Sequence, residues 1–227
     1  MKAAHDYLHV LWQVFRKDLL IEWRGRQGLP VMLVFALMIV FLFNFALQLS
    51  PELQAGLASG LLWVSLAFAS TLGLNRSISQ ERENNALDGL LLAPVDRSAI
   101  FFGKTLGNFS STALVGFLLL PVFSLFYSQN MLLLPLVLVM FLGLVAYASL
   151  GTLLSSLSIQ SRTRDVLLPV LLYPLALPVL IAAVEASRGI LSGQDLGELR
   201  SWVYLLLAGS LLFNAAGLLF FESILEE

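Results

Sequence analysis

Leu29-Pro-Val-Met-Leu-Val-Phe-Ala-Leu-Met-Ile-Val-Phe-Leu-Phe-Asn-Phe-Ala-Leu-Gln-Leu49 contains no charged residue and only two amide side chains. A helix rising about 1.5 Å per residue needs roughly 20 apolar residues to cross a bilayer core about 30 Å thick. This run has that length. Pro30 falls in its first turn, where a missing N–H costs no hydrogen bond. After the break Ser50-Pro51-Glu52, similar runs follow at about 53–74, 105–127, 131–159, 166–186 and 202–221, making six. The fourth is long enough to tilt, or to bend near Pro135. The fifth contains Pro169, Pro174 and Pro178, which predict a broken or flexible helix of the kind tolerated where a cavity is lined.

Composition agrees. Of the 227 residues 58% are hydrophobic and 12% charged, against about 45–50% and roughly 25% in a soluble domain; the mean hydropathy is +0.86. One soluble core of this length cannot hide so much apolar side chain. A formal net charge of −2 excludes a generally basic nucleic-acid binder. The absence of cysteine excludes disulfides, thiolate zinc sites, cysteine nucleophiles and thioether-linked haem. No cleavable signal peptide is expected, because the basic N-terminal stretch is too long and mixed for one.

Lysine and arginine set the orientation. The N-terminal segment and the 75–104 and 160–165 loops hold eleven of them, and the remaining two, Arg188 and Arg200, lie in the 187–201 segment. Both termini and the two basic loops are therefore expected in the cytoplasm. The 187–201 segment, with Gly193, Asp195, Gly197 and Glu198, reads as an outer loop or short surface helix.

Two cytoplasmic segments exceed what a connection needs. In 7–24, Leu8, Leu11, Trp12, Phe15, Leu19 and Trp23 recur at three- and four-residue steps, with His9, Gln13, Arg16, Lys17 and Arg24 on the other face. That pattern predicts an amphipathic helix in the headgroup region with basic side chains toward anionic lipid. The second segment, Arg76-Ser-Ile-Ser-Gln-Glu-Arg-Glu-Asn-Asn-Ala-Leu-Asp-Gly-Leu-Leu-Leu-Ala-Pro-Val95, begins charged and ends apolar. It predicts a short helix with Glu81 and Glu83 near its start, where carboxylates favour the dipole. Arg82 lies between them, Ala86, Leu87, Leu90 and Leu91 form an apolar stripe, and Pro94 is the stop. A surface stub with one apolar and one charged edge suits docking of a cytoplasmic partner. A solvated loop is the plainer alternative.

Little other chemistry is available. Gly103-Lys104-Thr105 lacks the earlier glycine of a phosphate loop and follows Ile100, Phe101 and Phe102, so Lys104 reads as a snorkelling residue. No span holds a histidine or lysine base, and His5 and His9 both lie on the N-terminal arm. Glu185, near the outer end of the fifth span, is a candidate outer-gate or partner contact, with interface solvation as the plainer alternative. Asn44, Asn108, Asn214, Tyr127, Tyr147 and Tyr173 are polar candidates for a lateral surface, with hydrogen bonds between helices as the plainer reading, and Gly56-Leu-Ala-Ser-Gly60 is a small-residue face suited to close packing. Met32, Met38 and Met140 are expected to pack rather than to bind a metal.

Six spans, an amphipathic arm and the Glu81-Arg-Glu83…Leu90-Leu-Leu92…Pro94 loop together resemble ABC-2-type ABC transporter permeases. Within them the chain resembles the haem exporter protein B family. The resemblance lies in Phe15-Arg-Lys-Asp-Leu-Leu20, Gly60-Leu-Leu-Trp-Val64, Leu74-Asn-Arg-Ser-Ile78, Leu87-Asp-Gly-Leu-Leu-Leu-Ala-Pro-Val95 and Leu167-Leu-Pro-Val-Leu171, and covers nearly the whole chain.

The resemblance implies a single all-α transmembrane domain, residues 1–227, with a coupling helix over 77–95. It implies a non-catalytic subunit of the bacterial inner membrane serving cytochrome c maturation. The partners implied are a cytoplasmic ATP-binding subunit, a haem-handling membrane subunit with a small helper, a periplasmic haem chaperone and a second copy of the chain. ATP would be bound by the partner ATPase, and Glu81, Arg82, Glu83, Leu87, Leu90, Leu91 and Pro94 would form the docking segment. With no cysteine anywhere and no histidine in a span or outer loop, strong axial iron ligands are missing, so haem is expected on partner subunits. The alternatives are an ABC-2 permease for a lipid, drug or polysaccharide, and a non-transporting membrane scaffold.

Overall fold

The computed structural model describes residues 2–24, 28–46, 51–83, 95–158 and 164–226. They form α1 (Lys2–Arg24), α2 (Gly28–Ala46), α3 (Pro51–Glu83), α4 (Arg97–Tyr127), α5 (Leu134–Ser158), α6 (Arg164–Leu191) and α7 (Arg200–Glu226). Six helices contain stretches long and apolar enough to cross a membrane, α2 to α7, and α1 does not. No strand occurs among the described residues. The chain is an all-α integral membrane protein.

α3 and α5 are the central pair, with 67% and 72% of their apolar stretches buried against 17% each for α2 and α7. Small side chains explain their place. Ala58, Ser59, Ala69 and Ser70 on α3 and Ala146, Ala148, Ser149 and Thr152 on α5 are all buried, which lets backbones approach where lipid offers no hydrophobic drive between helices.

Side-chain hydrogen bonds then tie the bundle. The Trp63 indole N–H donates to Ser187 Oγ on α6 at 3.0 Å, and its ring lies on Gly143 of α5 so closely that a Cβ there would overlap it. Thr71 Oγ1 and Tyr147 Oη are 3.1 Å apart, and both reach the Ala67 carbonyl, at 2.8 and 3.2 Å. Asn108 donates to Thr152 Oγ1 at 2.9 Å, Thr112 to Ser70 Oγ at 3.1 Å, and Ser210 to the Leu142 carbonyl at 3.1 Å.

Several helix limits differ from the hydropathy runs. α3 continues past Leu74 to Glu83, because an apolar run ends where polarity begins, while a helix ends at a breaker, and 75–83 contains neither Gly nor Pro. α4 starts at Arg97, where the Asp96 carboxylate accepts the Ser98 N–H at 2.9 Å as an N-cap. α5 starts at Leu134, so Pro135 lies in its first turn, where it need not bend the helix. α6 is one continuous helix through Pro169, Pro174 and Pro178, which corrects the expected break. Its neighbours α3, α5 and α7 hold its course, although each proline lacks the N–H of its own ladder bond. Beyond it, 192–199 is an exposed turn closed by buried Leu199.

Candidate functional site

The predicted docking segment begins inside α3. Glu81, Arg82 and Glu83 belong to the last described turn of a helix that starts at Pro51. They continue a span instead of opening a separate helix, so the favourable N-terminal dipole expected for Glu81 and Glu83 does not apply. Leu87, Leu90, Leu91 and Pro94 lie outside the described residues. What the described chain presents is a helix whose apolar stretch, Gly56–Ser77, runs on without a break into a polar extension.

The C-terminal end of α1 shares a cleft with Ser70 to Ser77 of α3, and α1 is more than an interfacial float. Its apolar edge is exposed, with Leu8, Trp12 and Trp23 at 62%, 55% and 68%. A third face, invisible in a two-faced amphipathic reading, packs on α4. Val14 is buried in a cluster with Ile100, Phe101, Leu153 and Phe221. Tyr7 Oη lies 3.2 Å from Ser98 Oγ. A Cβ at Gly103 would lie 2.9 Å from the Leu11 carbonyl oxygen, and one at Gly107 3.2 Å from Asp18 Cβ. Gly103 and Gly107, four residues apart, are therefore a helix-packing seat. That is the physical reason for the glycine in Gly103-Lys104-Thr105. The signal that could have found this face was Val10, Val14 and Asp18 at the same spacing as the two glycines on α4.

At the far end of α1 a cleft of about 20 Å³ is lined by Asp18, Glu22, Ser70, Ser77, Asn108 and Thr112, among others. Asp18 pairs with Lys17 at 3.0 Å. Glu22 accepts the backbone N–H of Leu29 in the first turn of α2. Burial raises its carboxyl above the usual carboxylate range, Arg76 and the Leu29 N–H oppose the shift, and Asp18 adds to it. Asp18 enters the sequence reading only as part of Phe15-Arg-Lys-Asp-Leu-Leu20, and Glu22 reads as an ordinary polar position of the arm.

At the opposite end of the bundle Glu185 forms an ion pair with Arg188 one turn further along α6. Asn108 and Tyr147 bridge helices as expected, whereas Asn214 bonds to the Ser210 carbonyl of its own helix at 2.8 Å and the buried Tyr127 hydroxyl has no hydrogen-bond partner among the described residues. Outside their own helix, Gly56 and Gly60 have no atom of the described residues within 4 Å of where a Cβ would stand, so among those residues this small-residue face seats no helix. Met32 and Met140 are buried in the main core and Met38 is 52% exposed. His9 is exposed beside Gln13. Among the described residues, no group of three or more His, Asp or Glu could hold a metal ion.

A six-span helical membrane protein with a docked interfacial arm is the class these features define. The sequence model of the CcmB protein family matches residues 9–221, and the chain belongs to that family. It is 32% identical over 173 residues to a heme exporter protein B of Rhodobacter capsulatus, covering 76% of this chain and 79% of that one. It is 30% identical over 180 residues to a heme exporter protein B of Paracoccus denitrificans, covering 79% and 83%. To a heme exporter protein B of Bradyrhizobium diazoefficiens it is 27% identical over 181 residues, covering 79% and 82%.

Proposed function

We propose that this chain is the membrane subunit of an ABC-type haem exporter system serving cytochrome c maturation. It sits in a bacterial inner membrane with both termini in the cytoplasm and has no catalytic role of its own. A cytoplasmic ATPase docks on the 77–95 segment, and nucleotide-driven closure moves it, rocking the second and third spans against the rest. That motion drives haem delivery, or release of a haem-loaded periplasmic chaperone, by a neighbouring haem-handling subunit and its helper. A second copy of the chain completes the permease.

The observation that carries this reading is the unbroken course of α3 from the centre of the bundle to Glu83. A continuous helix transmits displacement at one end to the other, and α3 packs on α2, α4, α5 and α6. Family membership and the eleven-to-two split of basic residues support the assignment and the orientation. The test is co-purification from detergent with identification of partners, followed by Glu81→Lys/Glu83→Lys. The charge-reversed chain is expected to insert normally and to lose ATPase assembly or coupled turnover. Normal assembly and turnover by that variant would refute the docking assignment.

A further inference from the structure

The seat of α1 on α4 fixes which way its other side chains point. Val14 and Asp18 are turned to α4, Val14 in the cluster with Phe101 and Asp18 over Gly107. Arg16 stands about 200° around the helix from both, so it faces away from α4, and it is exposed. Leu8, Trp12, Arg16 and Leu20 follow one another at four-residue steps along that outward ridge, and the three apolar members are 62%, 55% and 41% exposed. Trp23, 68% exposed, continues it. A cation thus interrupts an apolar edge, with an exposed tryptophan on either side.

Arg16 makes no ion pair or hydrogen bond among the described residues. Its neighbours are engaged: Lys17 lies 3.0 Å from Asp18, and Gln13 Nε2 lies 3.4 Å from His9 Nε2. Gln13, Arg16, Lys17, Leu20 and Ile21 line a surface hollow of about 430 Å³, polar toward Gln13 and apolar toward Ile21. Exposed tryptophans settle at the level of lipid headgroups. A guanidinium presents a planar fork of N–H groups that matches two phosphate oxygens, and it sheds water more readily than an ammonium. Charge and depth together favour an anionic headgroup over an acidic protein segment, which would have to leave water to reach this edge.

We propose that Arg16 binds the phosphate of an anionic phospholipid, which seats in the hollow with its glycerol end toward Leu20 and Ile21. The bound lipid tethers α1 to one leaflet while Val14 tethers it to α4. Neither the docking of an ATPase nor the nature of the cargo enters into this.

The test is native mass spectrometry of the full chain, released from a neutral detergent and supplied with equal amounts of phosphatidylglycerol and phosphatidylcholine. Choline puts a second cation beside its phosphate, so the parent is expected to retain phosphatidylglycerol in preference. Arg16→Gln is expected to lower that retention about tenfold, the size of one lost hydrogen bond to a charged group. Arg16→Lys keeps the charge without the fork and should recover part of it. Arg200→Gln, at the opposite end of the bundle, should leave it unchanged. Because Arg16 is exposed and unpartnered, its variants are expected to melt with the parent, so lost lipid does not report unfolding. The proposal is overturned if Arg16→Gln retains the lipid as the parent does, including the case in which it loses only a co-purifying protein. It is equally overturned if Arg200→Gln loses as much lipid, or if inorganic phosphate at the same concentration displaces the lipid, which would make the ligand a free anion.

Discussion

Trp63 shows what one side chain does in a bundle whose surroundings are as apolar as its interior. Its ring fills the space left by Gly143, and its N–H reaches Ser187. Trp63→Ala should therefore cost about 3–5 kcal/mol, the range for removing a large buried aromatic. Trp63→Phe keeps most of the ring, and Ser187 still donates to the Ala183 carbonyl at 2.6 Å. The lost bond should then cost only about 0.6 kcal/mol, the mean for hydrogen bonds between membrane helices. Thermal unfolding in detergent separates the two. Glu22 makes a prediction of opposite sign. Its carboxyl is raised by burial, so its contribution is fully present below the ordinary carboxylate range. That contribution is lost as pH rises through the elevated value and the buried acid must ionise. Glu22→Gln should match the parent in acid and exceed it in stability at neutral pH, measured as melting temperature against pH. Neither role was legible in the sequence. A tryptophan in an apolar span and a glutamate on a polar arm are both unremarkable until the glycines opposite them are located.

At the scale of elements, the spans were legible because hydropathy measures the solvent a segment requires. What it does not measure is where a helix stops. The run ending at Leu74 became a helix ending at Glu83, and three prolines failed to divide α6. The docked face of α1 was hidden for a related reason. Amphipathicity distinguishes wet from dry, whereas a dry face may touch lipid or protein, and here the Trp12 edge meets the outside while Val14 meets α4. Two glycine pairs test that distinction. Gly103→Leu drives a side chain into the Leu11 carbonyl, which cannot rotate away, so it should displace α1 and lower the melting temperature. Gly56→Leu and Gly60→Leu enter open space and should leave the isolated chain's melting temperature nearly unchanged. The control is expected to hold in detergent, where a single chain can be measured alone.

For the whole molecule, simple arithmetic on basic residues carried the orientation, and it is directly measurable. Leu196→Cys in the exposed 192–199 turn should react with an impermeant maleimide on spheroplasts. His9→Cys, exposed on α1, should react only after the membrane is opened. The same sparse composition bears on the proposed placement of haem on partner subunits. Met32 and Met140 are packed in the core and His9 lies on the arm. Chain purified without partners is therefore expected to show no stoichiometric haem with His or Met ligation in its absorption spectrum. Finding such haem would refute placement of the cargo on other subunits. The partners are expected only through resemblance, because a docking surface is complementary to something the chain does not contain.

The arm's seat has a consequence for how the protein is made. Tyr7 meets Ser98 across 91 residues of chain, so α1 leaves the ribosome long before the helix it rests on. At roughly 5–20 residues per second the delay is on the order of 5–20 seconds. Throughout that interval the α4 seat that covers the Val14 face has not yet been made. The exposed Trp12 and Trp23 edge is thus suited to parking the newborn arm beside the translocon until Gly103 and Gly107 arrive. A substitution that weakens its hold on lipid would be felt first as misassembly during synthesis, even where the finished protein tolerates it.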